Sequence, residues 1–418
     1  MQLSDFGKKM SADAGILRLM DDLGKALAGE PPVAMFGGGN PAQIPAVTDA
    51  FKSSLHELLA DEARAAAMFG NYDTPQGNAA FITAIKDFLN RHYRLGITEE
   101  NIAVTPGSQT GYFMLFNLLA GKTGKRQRKI MFPLVPEYIG YVDQTLEPDG
   151  FASQRPHIAE IGEHEFKYEV DFEALQINDD IAGICISRPT NPTGNVVTDT
   201  ELEHLGALAV EHDIPLIIDN AYGFPFPGVI VPDVKPFWND HTVLSISLSK
   251  VGLPSSRVGI FVGPKDLMQA LASANAIVSL ASPSFGQYVA TPLIASDEIL
   301  RLSGEHIKPY YFDRADKARA LIQQHFPDHL PWRLHVFEGS YFFWLWLPGS
   351  KLTSKQLYGY LKEQGVLVVP GEYFFPGQDT ATWSHAHECL RLNFARPDAE
   401  LERGVPILAE AVKRAYEA

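Results

Sequence analysis

Short apolar runs alternate with helix-length stretches through the middle of the chain. Strands are predicted at Ile102–Val104, Ile130–Phe132, Ala182–Ser187, Pro215–Asp219, Val243–Ser247 and Gly259–Val262. Helical patterns lie between them at Thr110–Ala120 and Thr200–His212, the latter opening with an Asp/Thr/Glu cluster suited to a helix start. Strand, helix, strand at this spacing implies βαβ units and a mostly parallel sheet. In such sheets the chemistry collects in loops at the C-terminal strand ends.

The pattern changes after about residue 295. A long helix is predicted over Asp297–Phe326, then a strand at Tyr341–Leu347 and a helix at Ser354–Gln364. Strands at Val366–Val369 and Cys389–Phe394 and a final helix from Asp398 complete a smaller α+β domain. The expected division is an N-terminal segment (1–45), a large domain (46–295) and a C-terminal small domain (296–418). The first segment holds Gly37-Gly38-Gly39-Asn40-Pro41 and is too short to fold alone, so it is expected to pack with the small domain.

Composition narrows the partners. Lys plus Arg is 35 against 50 Asp plus Glu, giving a formal net charge of −15. Such a surface repels phosphate backbones and argues against nucleic acid or an anionic membrane as partner. Two cysteines, Cys185 and Cys389, are too few for a disulfide framework and fit a reducing compartment. The longest apolar stretches fall short of the roughly 18 residues of a membrane helix. Charged residues among the first apolar ones (Asp5, Lys8, Lys9, Asp13) do not fit a signal peptide. These features point to a cytoplasmic protein.

The chemistry gathers in four loops. Ser247-Leu248-Ser249-Lys250, with Arg257 after it, follows one predicted strand. Asp219-Asn220-Ala221-Tyr222 ends the strand before, Asn191-Pro192-Thr193-Gly194 follows an earlier one, and Gly107-Ser108-Gln109 joins the first strand to its helix. Each has a bland reading alone: the Asn-Pro-Thr-Gly run is a good turn, and Asp219 suits a turn cap. Tyr138 and Tyr141, three residues apart, suit one face of a core helix. All four motifs, in this order on one rim, are hard to explain as loop chemistry. Gly121-Lys122-Thr123 fails as a phosphate loop because Phe116 stands where the first glycine is required. His385 and His387 lack further ligands nearby, so no metal is expected.

On these motifs the chain resembles the fold-type I pyridoxal-phosphate aminotransferases over essentially its whole length. The resemblance implies an α/β fold whose large, cofactor-binding domain has a mostly parallel central sheet between helices, plus the smaller α+β domain. It implies that Lys250 carries pyridoxal 5′-phosphate as a Schiff base and moves a proton at the substrate Cα, with pyridoxamine phosphate as intermediate. Asp219 would hold the pyridine nitrogen, and Asn191 and Tyr222 the phenolic oxygen. Ser108, Gln109, Ser247, Ser249 and Arg257 would cradle the phosphate, and Tyr138 would stack on the ring. Arg391, in Cys389-Leu390-Arg391-Leu392-Asn393-Phe394, matches the arginine that clamps the substrate carboxylate. Gly39 and Asn40 would approach the same carboxylate. Tyr72 would reach the phosphate of a neighbouring subunit, which implies a homodimer with shared active sites.

Further segments resemble one branch of that family. They are Gly37–Pro45, Pro136-Glu137-Tyr138-Ile139-Gly140-Tyr141, Ser187–Asn195 and Val368–Gly377. This branch exchanges the amino group of L-valine with pyruvate, giving 2-oxoisovalerate and L-alanine. No second arginine is clearly placed for a side-chain carboxylate, while Phe36, Ile44 and Ile139 flank the site motifs as candidate apolar walls. The alternatives are a broader aromatic or 2-aminoadipate aminotransferase and, in another class, a carbon–sulfur lyase.

Overall fold

The computed structural model describes residues 2–11, 15, 17, 21, 24 and 34–417. Most of the N-terminal segment between residues 12 and 33 therefore lies outside the described residues. In chain order the strands are β1 (Ala34–Met35), β2 (Ile102–Pro106), β3 (Gly121–Thr123), β4 (Arg126–Phe132), β5 (Phe151–Ser153), β6 (His157–Ile161), β7 (Glu165–Glu169) and β8 (Ile181–Ser187). They continue with β9 (Leu216–Asp219), β10 (Thr242–Ser247), β11 (Val258–Val262), β12 (Arg333–His335), β13 (Phe342–Trp346), β14 (Val366–Leu367), β15 (Val369–Pro370) and β16 (Cys389–Asn393).

An eight-stranded sheet runs in the order β2-β11-β10-β9-β8-β4-β3, with β5 also paired to β4. Its centre is parallel from β10 through β9 and β8 to β4. β8 reads Ile-Ala-Gly-Ile-Cys-Ile-Ser and is buried at every position. A continuous apolar run of this kind marks a strand covered on both faces. The helix Asp199–Glu211 packs on β8 and β9. It starts from a capping box, in which Thr198 Oγ1 accepts the Glu201 N–H (3.1 Å) and the Glu201 carboxylate accepts the Thr198 N–H (2.7 Å).

β11 is antiparallel to both its neighbours, β10 and β2. The start of β11 therefore lies on the same rim as the ends of the parallel strands, which decides where Arg257 sits.

A six-stranded sheet runs β15-β16-β13-β12-β7-β6. Its last two strands, β6 and β7, come from the middle of the chain, so a hairpin that precedes β8 extends a sheet otherwise built from the C-terminal third. β1 pairs in parallel with β14, and Asn393 N–H donates to the Phe36 carbonyl (2.7 Å), so residues 34–36 attach to this C-terminal layer. The long helix predicted over Asp297–Phe326 is split into Glu298–Leu302, a π-helical turn at Ser303–Ile307, and Lys308–His325. Pro309 explains the break: it has no N–H to donate back four residues, and its ring crowds the carbonyl there. Among the described residues no helix is long and apolar enough to cross a membrane.

Candidate active site

The rim of the large sheet opens into a cavity. Its lining includes Ser108, Gln109, Tyr138, Asn191, Asp219, Tyr222, Ser247, Ser249, Lys250 and Arg257. Each arrives from the end of a strand, and the register aligns those ends: Ser187 pairs with Asp219, Asp219 with Ser245, Ser247 with Gly259, and Val258 with Pro106. Hydrogen bonding in the sheet thus sets the spacing of the polar side chains beyond it.

One corner is built for an anion. The helix Ser108–Leu119 begins after Gly107 with no side chain capping its first turn, leaving N–H groups and the positive end of the helix dipole facing the cavity. Gly107 has φ +81°, and a Cβ there would lie 2.2 Å from the Arg257 guanidinium. A Cβ on Gly259 would meet the Ser108 backbone nitrogen at 2.4 Å. Both positions require glycine for Arg257, the helix start and β11 to meet. Ser108 Oγ is buried there without a hydrogen-bond partner among the described residues.

The opposite side carries the titratable groups. Tyr141 donates its hydroxyl to Asp219 Oδ2, and the Ala221 N–H donates to Oδ1 (2.9 Å). Burial pushes the Asp219 carboxyl up, opposed by these donors and by the Lys250 charge. Lys250 Nζ donates to the Gly39 carbonyl (2.8 Å) and lies 5.3 Å from the Tyr222 ring centre. Burial first, then the Arg391 charge, lower its ammonium to about 8, and Asp219 pulls the other way. An amine tuned this way is a competent nucleophile and proton acceptor near neutral pH.

Arg391 enters from β16 in the other sheet. Its Nη1 donates to Asn191 Oδ1 (3.0 Å) and its Nη2 to the Gly37 carbonyl (2.7 Å), while its Nε has no partner among the described residues. The guanidinium lies 4.2 Å from the Phe342 ring centre and 5.3 Å from that of Phe374. Burial lowers it to about 10, so it stays charged at neutral pH. Three successive glycine carbonyls meet three donors: Gly37 that of Arg391, Gly38 that of Asn393 (2.6 Å) and Gly39 that of Lys250. Neither Arg391 nor Gly39 lines the cavity itself; Arg391 meets it through the lining residue Asn191, and a guanidinium with an unpaired N–H beside that wall suits an amino acid's carboxylate.

A family model described as aminotransferase class I and II matches residues 34–408. The chain belongs to the class I and II aminotransferases. Enzymes of this family use pyridoxal phosphate. Over 417 residues the chain is 46% identical to a valine–pyruvate aminotransferase of Escherichia coli K12, covering 100% of this chain and 99% of that one. The solved structure of a valine-pyruvate aminotransferase from Salmonella typhimurium LT2 is 45% identical, with TM-score 0.87 over 96% of this chain and 99% of that one. A structure from Psychrobacter arcticum 273-4, provisionally described as an amino-acid aminotransferase, superposes with TM-score 0.96 at 45% identity over 100% and 99% of the two chains.

Tyr72, expected to reach a neighbouring subunit, is 84% exposed and does not line the cavity of its own chain. Asn40 is exposed and also outside the lining, and the backbone oxygen facing Arg391 belongs to Gly37 rather than to Gly39 or Asn40. Phe36, Ile44 and Ile139 are not cavity walls. Phe36 packs instead against the C-terminal helix Asp398–Glu417, where a Cβ on Gly404 would touch its ring at 2.6 Å. Sequence reasoning left Tyr141 as a core residue and did not single out Ser187, Tyr112 or Tyr341. Ser187 and Tyr112 line the cavity, and Tyr341 donates its hydroxyl to the Lys250 carbonyl (2.5 Å).

Proposed function

We propose that this chain is a pyridoxal-phosphate-dependent aminotransferase converting L-valine and pyruvate to 2-oxoisovalerate and L-alanine. The observation that carries the substrate assignment is the 46% identity, over the full chain, to the E. coli valine–pyruvate aminotransferase. The chemistry of the lining supports it: among the described residues its basic side chains are Lys250 and Arg257. With Arg257 in the anion corner, no cation remains for a side-chain carboxylate, which suits a small apolar amino acid.

The donor set fits the cofactor. The buried, unpaired Ser108 Oγ and the Gly107–Arg257 approach form a cradle for a phosphate. Ser108, Gln109, Ser247, Ser249 and Arg257 would hold that group, Asp219 the ring nitrogen, Asn191 and Tyr222 the phenolic oxygen, and Tyr138 the ring face. Bound there, pyridoxal phosphate supplies an electron sink for the pair left on the substrate Cα. The residues do the rest. Arg391 and Asn191 hold the substrate carboxylate, which orients the Cα–H bond toward Lys250. Lys250 Nζ, neutral above pH about 8, accepts the Cα proton and later returns it. Burial disfavours the Asp219 anion, the Tyr141 and Ala221 donors and the Lys250 charge favour it, and as the anion it would balance positive charge at the ring nitrogen.

The same reading includes a homodimer and the three-part division at residues 45/46 and 295/296, with the β6–β7 hairpin bridging its two larger parts. Asn275 Nδ2 donates to the Pro75 carbonyl (2.8 Å), so the segments bearing exposed Tyr72 and Ile277 lie side by side. An apolar surface of that kind supports a partner subunit receiving Tyr72. Two free, buried cysteines are in keeping with a cytoplasmic enzyme.

The deciding experiment incubates the reconstituted protein with L-valine and pyruvate and quantifies both products. Equal amounts of L-alanine and 2-oxoisovalerate are expected. A cofactor absorbance band without either product would reject this substrate pair. Sedimentation or light scattering reads the dimer directly.

A further inference from the structure

Glu137 is a buried carboxylate that the reaction as described does not use. It is fully inaccessible and sits between β4 and the short helical turn Ile139–Tyr141. Its Oε1 accepts the Ser187 N–H (2.7 Å), and its Oε2 accepts the Ser187 hydroxyl (2.6 Å) and the Tyr138 N–H (3.3 Å). The Glu137 N–H donates to the Phe374 carbonyl (2.8 Å), which ties the same loop to the layer that bears Arg391. The titratable groups that face it are Asp219, Tyr141 and Cys185, none of them a cation. Burying a carboxyl without a cationic partner is costly unless its hydrogen bonds serve a specific end.

The end is geometric. Ser187 closes β8 and pairs with Asp219 across the sheet, while the next residue, Arg188, donates its N–H to the Asp219 carbonyl (2.8 Å). The Ser187 carbonyl accepts the Thr190 hydroxyl (3.1 Å), one residue before Asn191. Glu137 therefore grips the strand end from which Asp219 and Asn191 are both set, and it also holds the backbone of Tyr138. We propose that Glu137 is a positioning residue that fixes the loop carrying Tyr138 against the end of β8. The gap between the Tyr138 ring and the Asp219 and Asn191 side chains follows from that grip. Burial pushes its carboxyl up to about 8, opposed by the Ser187 donors and reinforced by the Asp219 charge. Near neutral pH the group is largely a neutral acid, able to donate to the Ser187 hydroxyl as well as accept from the Ser187 N–H. A glutamine, with one acceptor and one donor end, keeps both Ser187 contacts and gives up only the longest link, the Tyr138 N–H at 3.3 Å.

The inference rests on the cofactor occupying this cavity. Its test titrates pyridoxal phosphate into wild-type, E137Q, E137A and S187A apoprotein, reading the dissociation constant and the pH midpoint of the cofactor absorbance band. E137Q should stay within about threefold of wild-type affinity, whereas E137A should bind at least about tenfold more weakly, the scale of a lost buried polar link. The E137A midpoint should also move by roughly half a pH unit or more, because the groups around the ring are displaced. S187A should move both quantities the same way by less, and it decides the matter alone if E137A does not fold. A folded E137A with wild-type affinity and midpoint, or one that loses only thermal stability, overturns the inference. A wild-type protein that takes up no cofactor overturns both it and the functional reading.

Discussion

The two sides of the cavity are held by different means. The Lys250–Asp219 side grows from consecutive strand ends of one sheet, and each residue is placed by local backbone within a few positions of its strand. The Arg391 side is assembled from three separate segments: β16, the loop bearing Asn191, and the Gly37 and Gly38 carbonyls, 354 and 355 residues away in sequence from their donors Arg391 and Asn393. One side is preorganised by sheet register. The other depends on the N-terminal segment staying docked to the C-terminal layer through β1–β14 pairing and the Met35 N–H to Glu400 bond (3.1 Å). In the proposed function, chemistry belongs to the rigid side and recognition of the substrate carboxylate to the assembled one.

The largest effect should come from breaking the rigid side. Lys250→Ala removes both the anchoring amine and the proton acceptor, and turnover should fall by at least about 10³-fold. The cofactor absorbance band that depends on lysine should vanish with it. Near-normal turnover in that variant would move the chemistry to another residue.

Breaking the assembled side should look different in kind. Arg391→Lys keeps the charge but loses the planar fork, the Asn191 and Gly37 bonds together, and the stacking on Phe342. We expect kcat/KM to drop about 10- to 100-fold, the scale of roughly 1.5–3 kcal/mol for one charged hydrogen bond to the substrate carboxylate lost, with KM carrying most of it. Cofactor affinity should stay near that of wild type. A fall confined to kcat would contradict the division of labour.

A third substitution tests whether sheet register alone holds the anion corner. Gly107→Ala puts a methyl 2.2 Å from the Arg257 guanidinium on a backbone that side chains rarely adopt. Strain of about 1–3 kcal/mol should weaken cofactor binding about tenfold while leaving the KM for valine little changed. Equal losses in both would mean that the two sides are not separable.

How much of this was legible in the sequence follows the same line. Lys250, Asp219, Asn191 and Arg257 announce themselves because each belongs to a short motif at the end of an apolar run, and strand periodicity alone aligns those ends. β11 is the instructive member: periodicity finds the strand but not its direction, and only the antiparallel pairing puts Arg257 on the shared rim. The assembled side was much less readable. Arg391 stood out as a charge in an apolar strand, but nothing local says that Gly37 would supply its acceptor, because that contact is fixed by long-range docking. The β6–β7 hairpin joined the second sheet for the same reason, with alternating strands that carry no mark of their partner. Tyr141 and Glu137 were hidden differently, since an aromatic or a carboxylate in a Pro-Glu-Tyr-Ile-Gly-Tyr loop shows its partner only after the loop has folded back over β8 and β9.

The smallest effect is the one that couples the two sides. Burial is the main force lowering Lys250 to about 8, the Arg391 charge is the next, and Asp219 opposes them. Only the neutral amine can attack the cofactor aldehyde, so the rate of cofactor capture by apoprotein should rise with pH, about tenfold per unit well below pH 8, and level off above it. Removing a neighbouring positive charge relieves repulsion of the ammonium, so Arg391→Gln should shift this midpoint upward. Asp219→Asn removes the attraction that favours the ammonium and should shift it downward. Arg391→Lys, with its charge kept, should leave the midpoint closer to wild type than Arg391→Gln does. Stopped-flow mixing of apoprotein with pyridoxal phosphate across pH 6 to 10 measures all four proteins on one scale. Midpoints that coincide would show that the assembled side, although it meets the rigid side through the Gly39 carbonyl, exerts no electrostatic hold on its lysine.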